Sequence, residues 1–337
     1  MIVLGIETSC DDTSLALFSA ERGIIGELTA NQLIHEQFGG IVPEVASRTH
    51  MKNLLPVFNA LLSKANLPST DIEGIGVSNG PGLIGSLLVG VSFAKGLAFA
   101  LGRPVVGVHH IEAHIVSNEL GGDSIRTPAV VLVVSGGHTC LYGVEEVGRY
   151  KLLGNTRDDA AGEAFDKIAK LLDLGFPGGP AIEQAAKTGD PAAIDFPRAM
   201  MRQDNFDFSF SGLKTAVRLH VEKDSSRARE TIGDIAASAQ EAIVDALVQK
   251  TIACAITIGV REAYLAGGVA ANGRLREKLS AACERAGITY HAPLVRYCTD
   301  NGAMIAALGS AAVRTGAKPS DLRLGVDSAM PLRLAVA

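Results

Sequence analysis

The sequence predicts an α/β protein built from two related lobes. Predicted strands alternate with predicted helices, and a strand–turn–strand unit with a polar tip occurs twice, over residues 2–18 and again over 129–144. The chain has 337 residues, 47% of them hydrophobic, and a mean hydropathy of +0.24, which is ample apolar material for burial. Because single cores tend to split beyond roughly 250–300 residues, two lobes are expected.

The first set of elements opens with predicted strands at 2–7, 13–18 and 24–31. Each is a short apolar run, and a polar turn joins the first two. A long helix over 44–65 and a short buried strand at 105–108 follow.

The second set repeats this order. Strands at 129–134 and 138–144 flank a Gly-rich polar turn, and a strand at 150–153 and a helix over 162–172 follow. Such duplication indicates two related α/β lobes that face one cleft.

The tips of the two hairpins carry hydroxyl groups and small residues, at 7–13 and at 134–139. Short turns of this composition offer backbone N–H groups and hydroxyls to phosphate oxygens. Either tip, taken alone, is better explained as an ordinary turn, and it is their duplication that indicates phosphate binding.

A third Gly-rich element, Gly267-Gly268, stands where a strand from Tyr264 passes into a helix over 274–279. Glycines at such a junction let a ring or a phosphate approach the backbone, and a helix N-terminus favours an anion. The spacing is not G-x-G-x-x-G, so a two-lobe nucleotide cleft is favoured over a dinucleotide fold.

His110 and His114 are four residues apart, so on a helix they lie one above the other and can share a metal ion. In the zinc peptidase pattern the Glu directly follows the first His, whereas Glu112 stands two residues on, roughly 200° around the helix. A carboxylate facing away cannot be the base for metal-bound water, so the pattern indicates a metal with another task. A metal-free pair stays open as an alternative, with His109 beside it as local filler.

A third ligand would come from Asp300, which precedes an apolar helix over 303–308. The pattern alone favours an N-cap role for Asp300, because Asp before a helix accepts an orphan backbone N–H. Two His and one carboxylate would suit Fe2+, Zn2+ or Mn2+.

Composition restricts the classes of function. The five Cys are odd in number and lack C-x-x-C spacing, which argues against a disulfide framework and favours a reducing cytoplasm. The N-terminus has no basic region typical of a signal peptide, and the longest apolar run, 84–94, is shorter than the ~20 residues of a membrane span. No membrane association is therefore expected.

The formal net charge of −5 gives no global positive field for nucleic acid. An RNA substrate would need a partner or a local basic patch. The densest basic run is interleaved with acidic residues, a pattern that favours a solvated surface over an RNA-binding patch. It consists of Arg202, Lys214, Arg218, Lys223, Arg227 and Arg229.

Six motifs in order along the chain carry a resemblance to a known family. They are HIEAH at 110–114, SGGHT at 135–139, DAAGEAFDK at 159–167, FSFSGLKT at 208–215, GGVAAN at 267–272 and CTDN at 298–301. Together they resemble the bacterial TsaD family of tRNA threonylcarbamoyladenosine synthesis proteins, from Gly5 to about Met304.

The resemblance implies the actin-like fold of the sugar kinase and heat-shock ATPase superfamily. Two ribonuclease H-like lobes would flank a nucleotide cleft. The N-terminal lobe would span 1–126, completed by the C-terminal helix at about 303–337, and the second lobe would span 127–302.

The same resemblance implies the site residues. His110, His114 and Asp300 would bind one divalent ion, Fe2+ or Zn2+. Glu183 stands where some relatives have Asp, Asp12 replaces a usual Glu, and Cys140 stands where Gln is common. The adenylate and threonylcarbamoyl parts of the substrate would contact Val133, Val134, Ser135, Gly136, Gly137, Asp166, Gly179, Glu183 and Asn272.

The reaction implied is transfer of threonylcarbamoyl from threonylcarbamoyl-AMP to N6 of adenosine 37 in tRNAs that read codons beginning with A. AMP would leave as product, ATP could also bind, and Asp11 is a candidate base. A threonylcarbamoyl-AMP synthase would supply the substrate. The implied partners are the TsaB paralogue and the TsaE ATPase, with a heterodimer face on the helices around 44–62 and 83–101. A cytoplasmic metallopeptidase and a small-molecule kinase of the same fold are the alternatives.

Overall fold

A computed structural model groups the chain into two compact units. Unit 1 is Met1–Ser124 with Thr299–Leu332, and unit 2 is Ile125–Cys298. The structure describes residues 1–201, 205–223, 228, 230–314 and 323–332.

Unit 1 contains one five-stranded mixed sheet. Its strand order is β3-β2-β1-β4-β5. The first three strands form an antiparallel meander, and β1, β4 and β5 run parallel. The strands are β1 Ile2–Glu7, β2 Thr13–Ser19, β3 Gly23–Ala30, β4 Gly74–Gly80 and β5 Val105–His109.

Unit 2 repeats this topology. Its sheet has the order β8-β7-β6-β9-β10, again with an antiparallel meander and three parallel strands. The matching orders confirm the duplicated α/β fold predicted from the two hairpins. The strands are β6 Ala129–Val134, β7 Thr139–Glu146, β8 Arg149–Asn155, β9 Glu262–Ala266 and β10 Thr289–His291.

Helices cover the sheets in both units. The α-helices of the described residues are α1 Pro43–Ala65, α2 Ile84–Leu101, α3 His110–Val116, α4 Ala161–Leu171, α5 Gly178–Ala186, α6 Ser211–Lys223, α7 Ile232–Ile258, α8 Gly273–Ala286 and α9 Gly302–Arg314.

The C-terminal helix α9 packs directly on the sheet of unit 1. A Cβ atom placed on Gly5 would lie 2.3 Å from the backbone N of Ala306 and 2.3 Å from the carbonyl O of Gly302. Only a residue without a side chain fits there, so Gly5 in the middle of β1 permits α9 to lie against it. The contact brings Asp300, which lies just before α9, close to this sheet. Strand β5 of the same sheet leads directly into α3.

The core of unit 2 is centred on α7. This helix is buried on nearly every face, and its small and branched residues pack with Phe165, Phe208 and Phe210. A helix that is apolar all round is typical of a protein interior.

Helix α2 is more apolar than the sequence analysis allowed. Its 18 residues have a mean hydropathy of 1.8, so by length and composition it could cross a membrane, although only 33% of that window is buried. The apolar run predicted to end at residue 94 continues past Lys95 to the end of the helix at Leu101. Val91, Ala94 and Ala98 pack in the core of unit 1, and the core helix of a soluble protein can have the same length and composition.

Candidate metal site and substrate-binding elements

Two histidines on α3 and one aspartate before α9 bring their ligand atoms together within unit 1. Nε2 of His114 lies 3.0 Å from Oδ1 of Asp300, and Nε2 of His110 lies 3.7 Å from the same oxygen. The three ligand atoms all lie within 4.8 Å of one another. Both imidazoles are buried and Asp300 is partly exposed. Two imidazoles and a carboxylate at this separation fit Fe2+, Zn2+ or Mn2+ with open coordination positions.

His109 begins the helix that carries these histidines. Its Nδ1 accepts the backbone N–H of Glu112 at 3.4 Å, and its Nε2 donates to the carbonyl of Met330 at 3.1 Å. Burial lowers the pKa of His109 to about 4, so the ring stays neutral and can accept. His109 is therefore a helix cap, and its interpretation as filler was wrong. The carboxylate of Glu112 is not in the ligand cluster, in keeping with its helical position.

The cap of α9 is Asn301, not Asp300. The side-chain oxygen of Asn301 accepts the backbone N–H of Met304 at 2.9 Å, and the Ser14 hydroxyl accepts the backbone N–H of Gly302 at 2.8 Å. The carboxylate of Asp300 instead faces His114. The N-cap role that the pattern alone favoured for Asp300 was wrong.

A buried carboxylate lies behind His110. Oε2 of Glu7 and Oγ of Ser9 are each 3.0 Å from Nδ1 of His110. Because a carboxylate oxygen accepts, we assign a proton to Nδ1, so Nε2, which points towards Asp300, is the nitrogen of His110 that can bind a metal. Nδ1 of His114 is buried without a hydrogen-bond partner among the described atoms. The donor set therefore fits a metal that both Nε2 atoms share.

Acidic groups crowd around this site and oppose one another's ionisation. Burial and the Asp300 carboxylate raise the pKa of Asp11, and burial, Asp11 and Asp300 raise the pKa of Asp12 to about 7. For His110, burial disfavours the charged ring, but Glu7 and Asp300 outweigh it and raise the pKa to about 9. Burial is the largest cause for Asp11 and Asp12, and the remaining part of these shifts comes from neighbouring carboxyl groups, whose repulsion a bound cation would relieve.

The tip of the β1–β2 hairpin is turned inward. The backbone N–H of Thr8 donates to the hydroxyl of Ser78, and the Thr8 hydroxyl donates to the carbonyl of Ser86. The backbone N–H of Ser9 donates to Glu7. These groups are used within unit 1, which differs from the expectation that this tip would offer them to phosphate.

The β6–β7 tip in unit 2 is more open. Ser135 and His138 close the turn through backbone and side-chain hydrogen bonds of 2.8 and 3.1 Å. Between them, Gly136 and Gly137 face open space, because a Cβ atom on either would meet nothing within 4 Å. Helix α4 starts against the tip, since a Cβ on Gly162 would lie 2.5 Å from the Ser135 carbonyl. Backbone N–H groups here are accessible to an anion.

Val133 and Val134 are fully buried at the end of β6. Their side chains are core, so only their backbone can meet a ligand. Gly267, with φ +91°, would place a Cβ 2.4 Å from the Val134 carbonyl, so the Gly267–Gly268 junction packs against this strand end. The chain then forms a short 3-10 turn at Gly268–Ala271 before α8 begins.

Asp166 joins two helices of unit 2. Its Oδ1 accepts the backbone N–H of Gly178 at 2.7 Å, at the N-terminus of α5. The next residue, Gly179, has open space where a side chain would be. Asp166 thus has a structural partner, and it lies beside a helix start that a ligand can approach.

Glu183 and Asn272 meet at the N-terminus of α8. Glu183 Oε1 accepts the backbone N–H of Gly273 at 2.9 Å, and Asn272 Oδ1 caps α8 through Leu275 N–H at 2.9 Å. The other end of the Asn272 amide donates to Gln240 Oε1 at 2.8 Å. Gln240 is buried on α7, and the sequence analysis did not single it out. The sequence feature that could have marked Gln240 as a buried hydrogen-bonding residue is an uncharged amide among small and branched apolar residues.

Comparison with known proteins decides the family. The family model described as "TsaD: tRNA N6-adenosine threonylcarbamoyltransferase" matches residues 23–307. The chain belongs to the TsaD family. It is 48% identical to the tRNA N6-adenosine threonylcarbamoyltransferase of Ralstonia pickettii, over 96% of this chain and 94% of that protein. It is also 48% identical to the Syntrophus aciditrophicus protein of that name, over 99% of both chains.

Solved structures support the fold of this TsaD family member. HypF from T. kodakarensis aligns with a TM-score of 0.60 at 17% identity, over 96% of this chain and 49% of that chain. Component A of the (R)-2-hydroxyglutaryl-CoA dehydratase of Acidaminococcus fermentans aligns with a TM-score of 0.55 at 14% identity, over 93% and 99%. These likenesses confirm the actin-like fold class that the sequence predicted.

Proposed function

We propose that this chain transfers a threonylcarbamoyl group from threonylcarbamoyl-AMP to N6 of adenosine 37 in tRNAs that read codons beginning with A. Relatives at 48% identity over nearly the whole chain carry the name of this transferase. The observation that carries the proposal is the convergence of His110, His114 and Asp300 in a chain of this family. A peptidase is not favoured, because Glu112 lies outside the ligand cluster.

His110, His114 and Asp300 would hold the metal, as Fe2+ or Zn2+. When bound, such an ion supplies Lewis acidity towards an oxygen of the acyl group. The Glu7 carboxylate lies behind His110, with Oε2 at 3.0 Å from Nδ1 of the ring. The carboxyl groups of Asp11, Asp12 and Asp300 oppose one another's ionisation, and a bound cation would stabilise their ionised forms.

Residues of unit 2 would bind the nucleotide part of the substrate. The accessible backbone at Gly136 and Gly137 and the start of α5 at Gly179 suit phosphate oxygens. Asp166 would accept hydrogen bonds from the ribose or the base, and the Asn272 amide would donate hydrogen bonds to them. The remaining proposed contacts are Val133 and Val134 through their backbone, Ser135, and Glu183. AMP would leave from these contacts, and ATP would fit the same groups.

The reaction itself is an acyl transfer to an amine. N6 attacks the carbamoyl carbon, a C–N bond forms, the bond from that carbon to the phosphate oxygen breaks, and AMP departs with the electron pair. One N6 proton must leave, and Asp11 is proposed to accept it. Burial and Asp300 raise the pKa of Asp11, and a base is most effective when its pKa lies nearer the working pH.

A TsaB paralogue, a TsaE ATPase and a synthase for threonylcarbamoyl-AMP are the proposed partners. Helices α1 and α2 expose apolar side chains one turn apart, namely Met51 and Leu55 on α1 and Ile84 and Leu88 on α2, each at least 51% exposed. We call these four residues the α1–α2 apolar face. Two apolar helices of a related fold would cover it.

Cations for tRNA are proposed on α6. Lys214, Arg218 and Lys223 lie on this helix. The Arg218 guanidinium is paired only loosely with Glu222, at 3.8 Å between Nε and Oε1. The other members of the basic run, Arg202, Arg227 and Arg229, lie outside the described residues. With a tRNA substrate and five free thiols, four of them buried, a cytoplasmic location is proposed.

The test is reconstitution with purified chain, tRNA, threonylcarbamoyl-AMP and the partners, with modified nucleoside read by mass spectrometry. His110→Ala and His114→Ala should lose both bound metal and product while remaining folded. His291→Ala is the matched control, because it breaks another histidine–carboxylate pair, with Glu262 at 2.6 Å. Full product from His114→Ala, or protein cleavage without tRNA modification, would contradict the proposal.

A further inference from the structure

Glu7 is a fully buried carboxylate whose two oxygens have different partners. Oε2 lies 3.0 Å from Nδ1 of His110, while Oε1 accepts the backbone N–H of Ser9 and, at 3.1 Å, the hydroxyl of Ser78. Its exposure is zero, at the last residue of β1. Burying a carboxyl group is costly unless it is hydrogen-bonded, and Glu7 has three donors around it, so its surroundings are built to hold this side chain against His110.

The duplicated fold shows that this position does not need a carboxylate. Glu7 is the last residue of β1 and pairs with Ser14 of β2. In unit 2 the last residue of β6 is Val134, which pairs with Thr139 of β7 in the same way. In unit 2, therefore, a buried valine occupies the position that Glu7 holds in unit 1. The acid stands only in the copy whose neighbouring helix carries the two histidines.

The two histidines also differ in how they are oriented. Nδ1 of His110 has Glu7 and Ser9 within 3.0 Å, whereas Nδ1 of His114 is buried without a partner among the described atoms. A metal-binding imidazole is fixed by the hydrogen bond of its other nitrogen, which sets the tautomer and raises the basicity of the ligand nitrogen. His110 alone of this pair has such a bond in the structure.

We propose that Glu7 is a positioning residue of the metal site. It accepts the proton of His110 Nδ1, directs Nε2 to the ion, and is itself held by Ser9 and Ser78. The inward turn of the β1–β2 tip follows from this task, because the N–H of Ser9 is needed to anchor Glu7. The inference rests on the metal site of the proposed function.

The first test measures zinc affinity of the full chain by competition with a chromogenic chelator. Glu7→Gln keeps the side-chain volume but removes the charge, and it should weaken zinc binding about ten- to a hundredfold. Ser78→Ala removes one anchor of Glu7 and should weaken binding by a smaller factor. Ser86→Ala is the control, since its buried hydroxyl has no partner in the described structure, and it should bind zinc as the parent chain does.

The second readout is spectroscopic and would not respond to general destabilisation. In zinc-loaded protein with 15N-labelled histidine, the eight imidazoles are resolved and His110 is identified by its loss in His110→Ala. Nδ1 of His110 should carry a proton with the downfield shift of a carboxylate hydrogen bond, and Glu7→Gln should move that signal alone.

Unchanged zinc affinity in Glu7→Gln, or an unprotonated Nδ1 in the parent chain, would overturn the inference. If Glu7→Gln does not fold, unchanged affinity in Ser78→Ala overturns it instead. A His110→Ala chain that keeps zinc would mean that the metal site itself is wrong. A His110→Ala chain that loses zinc while Glu7→Gln keeps it would reject only the role of Glu7.

Discussion

The side-chain oxygen of Asn301 accepts the backbone N–H of Met304 at 2.9 Å, and this bond separates the roles of two neighbouring residues. Asn301 starts α9, and Asp300 turns its carboxylate to His114 at 3.0 Å. Substitutions at the two positions should therefore have different consequences.

Asn301→Ala should lower the free energy of unfolding by about 1 kcal/mol, the usual cost of losing a helix cap, and should leave bound metal in place. Asp300→Asn should lose metal with little change in stability of the metal-free chain. Urea unfolding and metal analysis of both variants decide the matter, with Asn301→Ser as a cap-preserving control. If Asn301→Ala loses metal and Asp300→Asn retains it, the assignment of roles is reversed.

Asp158 should contribute to stability in a pH-dependent way. It accepts the backbone N–H groups of Phe210 and Ser211 and the hydroxyls of Ser209 and Ser211 at the start of α6. Burial opposes its ionisation, but these hydrogen bonds outweigh that and lower its pKa. The folded pKa is below the unfolded value of about 3.9, so the stabilisation is present above that pH and is lost as pH falls through the folded pKa.

Asp158→Ala should therefore cost about 1 kcal/mol at neutral pH, and the difference from the parent chain should shrink in acid. Thermal unfolding at a series of pH values measures it. Asp195→Ala is the control, because the Asp195 side chain is fully exposed. A difference that grows towards low pH would contradict this account.

Gly267 and Gly268 stand side by side but should tolerate alanine differently. A Cβ at Gly267 would meet the Val134 carbonyl at 2.4 Å in a backbone with φ +91°, whereas one at Gly268 meets nothing within 4 Å. Gly267→Ala should destabilise the fold by about 2 kcal/mol or more. Gly268→Ala should fold normally and weaken AMP binding, since the sequence predicts that a ring or phosphate approaches the backbone at this junction.

Calorimetric titration with AMP and chemical unfolding separate the two effects. An equal loss of stability in both variants would contradict the difference in packing between Gly267 and Gly268. Unchanged AMP affinity in Gly268→Ala would remove this junction from the nucleotide site.

The α1–α2 apolar face should be needed for a complex and not for folding. Leu55 and Leu88 are 56% and 51% exposed, so Leu55→Lys with Leu88→Lys should leave the melting temperature of the single chain within a degree or two. The same double variant should fail to form a complex with the paralogue in light scattering. Leu219→Lys, at a 57% exposed position on α6, is the control. A complex that survives the double variant would exclude this face.

The sequence predicted the fold well where the hydrophobic periodicity and the turn residues indicate the same element. The hairpins of both units and helix α1 lie within a residue or two of their predicted bounds. Strand β4 was missed because its glycines at 74, 76 and 80 hide its pattern, and Gly76 is needed where its Cα approaches Gly309 of α9. Helix α7 was missed because a helix buried on every face has no amphipathic period.

The cluster of His110, His114 and Asp300 could be predicted in part from sequence. Helical spacing brings His110 and His114 together, but the approach of Asp300 depends on the packing of α9 against Gly5, some 300 positions earlier. The pattern therefore gave Asp300 the cap role that Asn301 holds. Glu7 and Gln240 act through partners distant in the chain, so no local spacing marked them.

Anomalous X-ray diffraction at the zinc edge, from crystals grown with Zn2+, tests the central claim most directly. The account predicts one strong peak within bonding distance of Nε2 of His110, Nε2 of His114 and a carboxylate oxygen of Asp300. A peak elsewhere, or these three side chains turned away from it, would contradict the account.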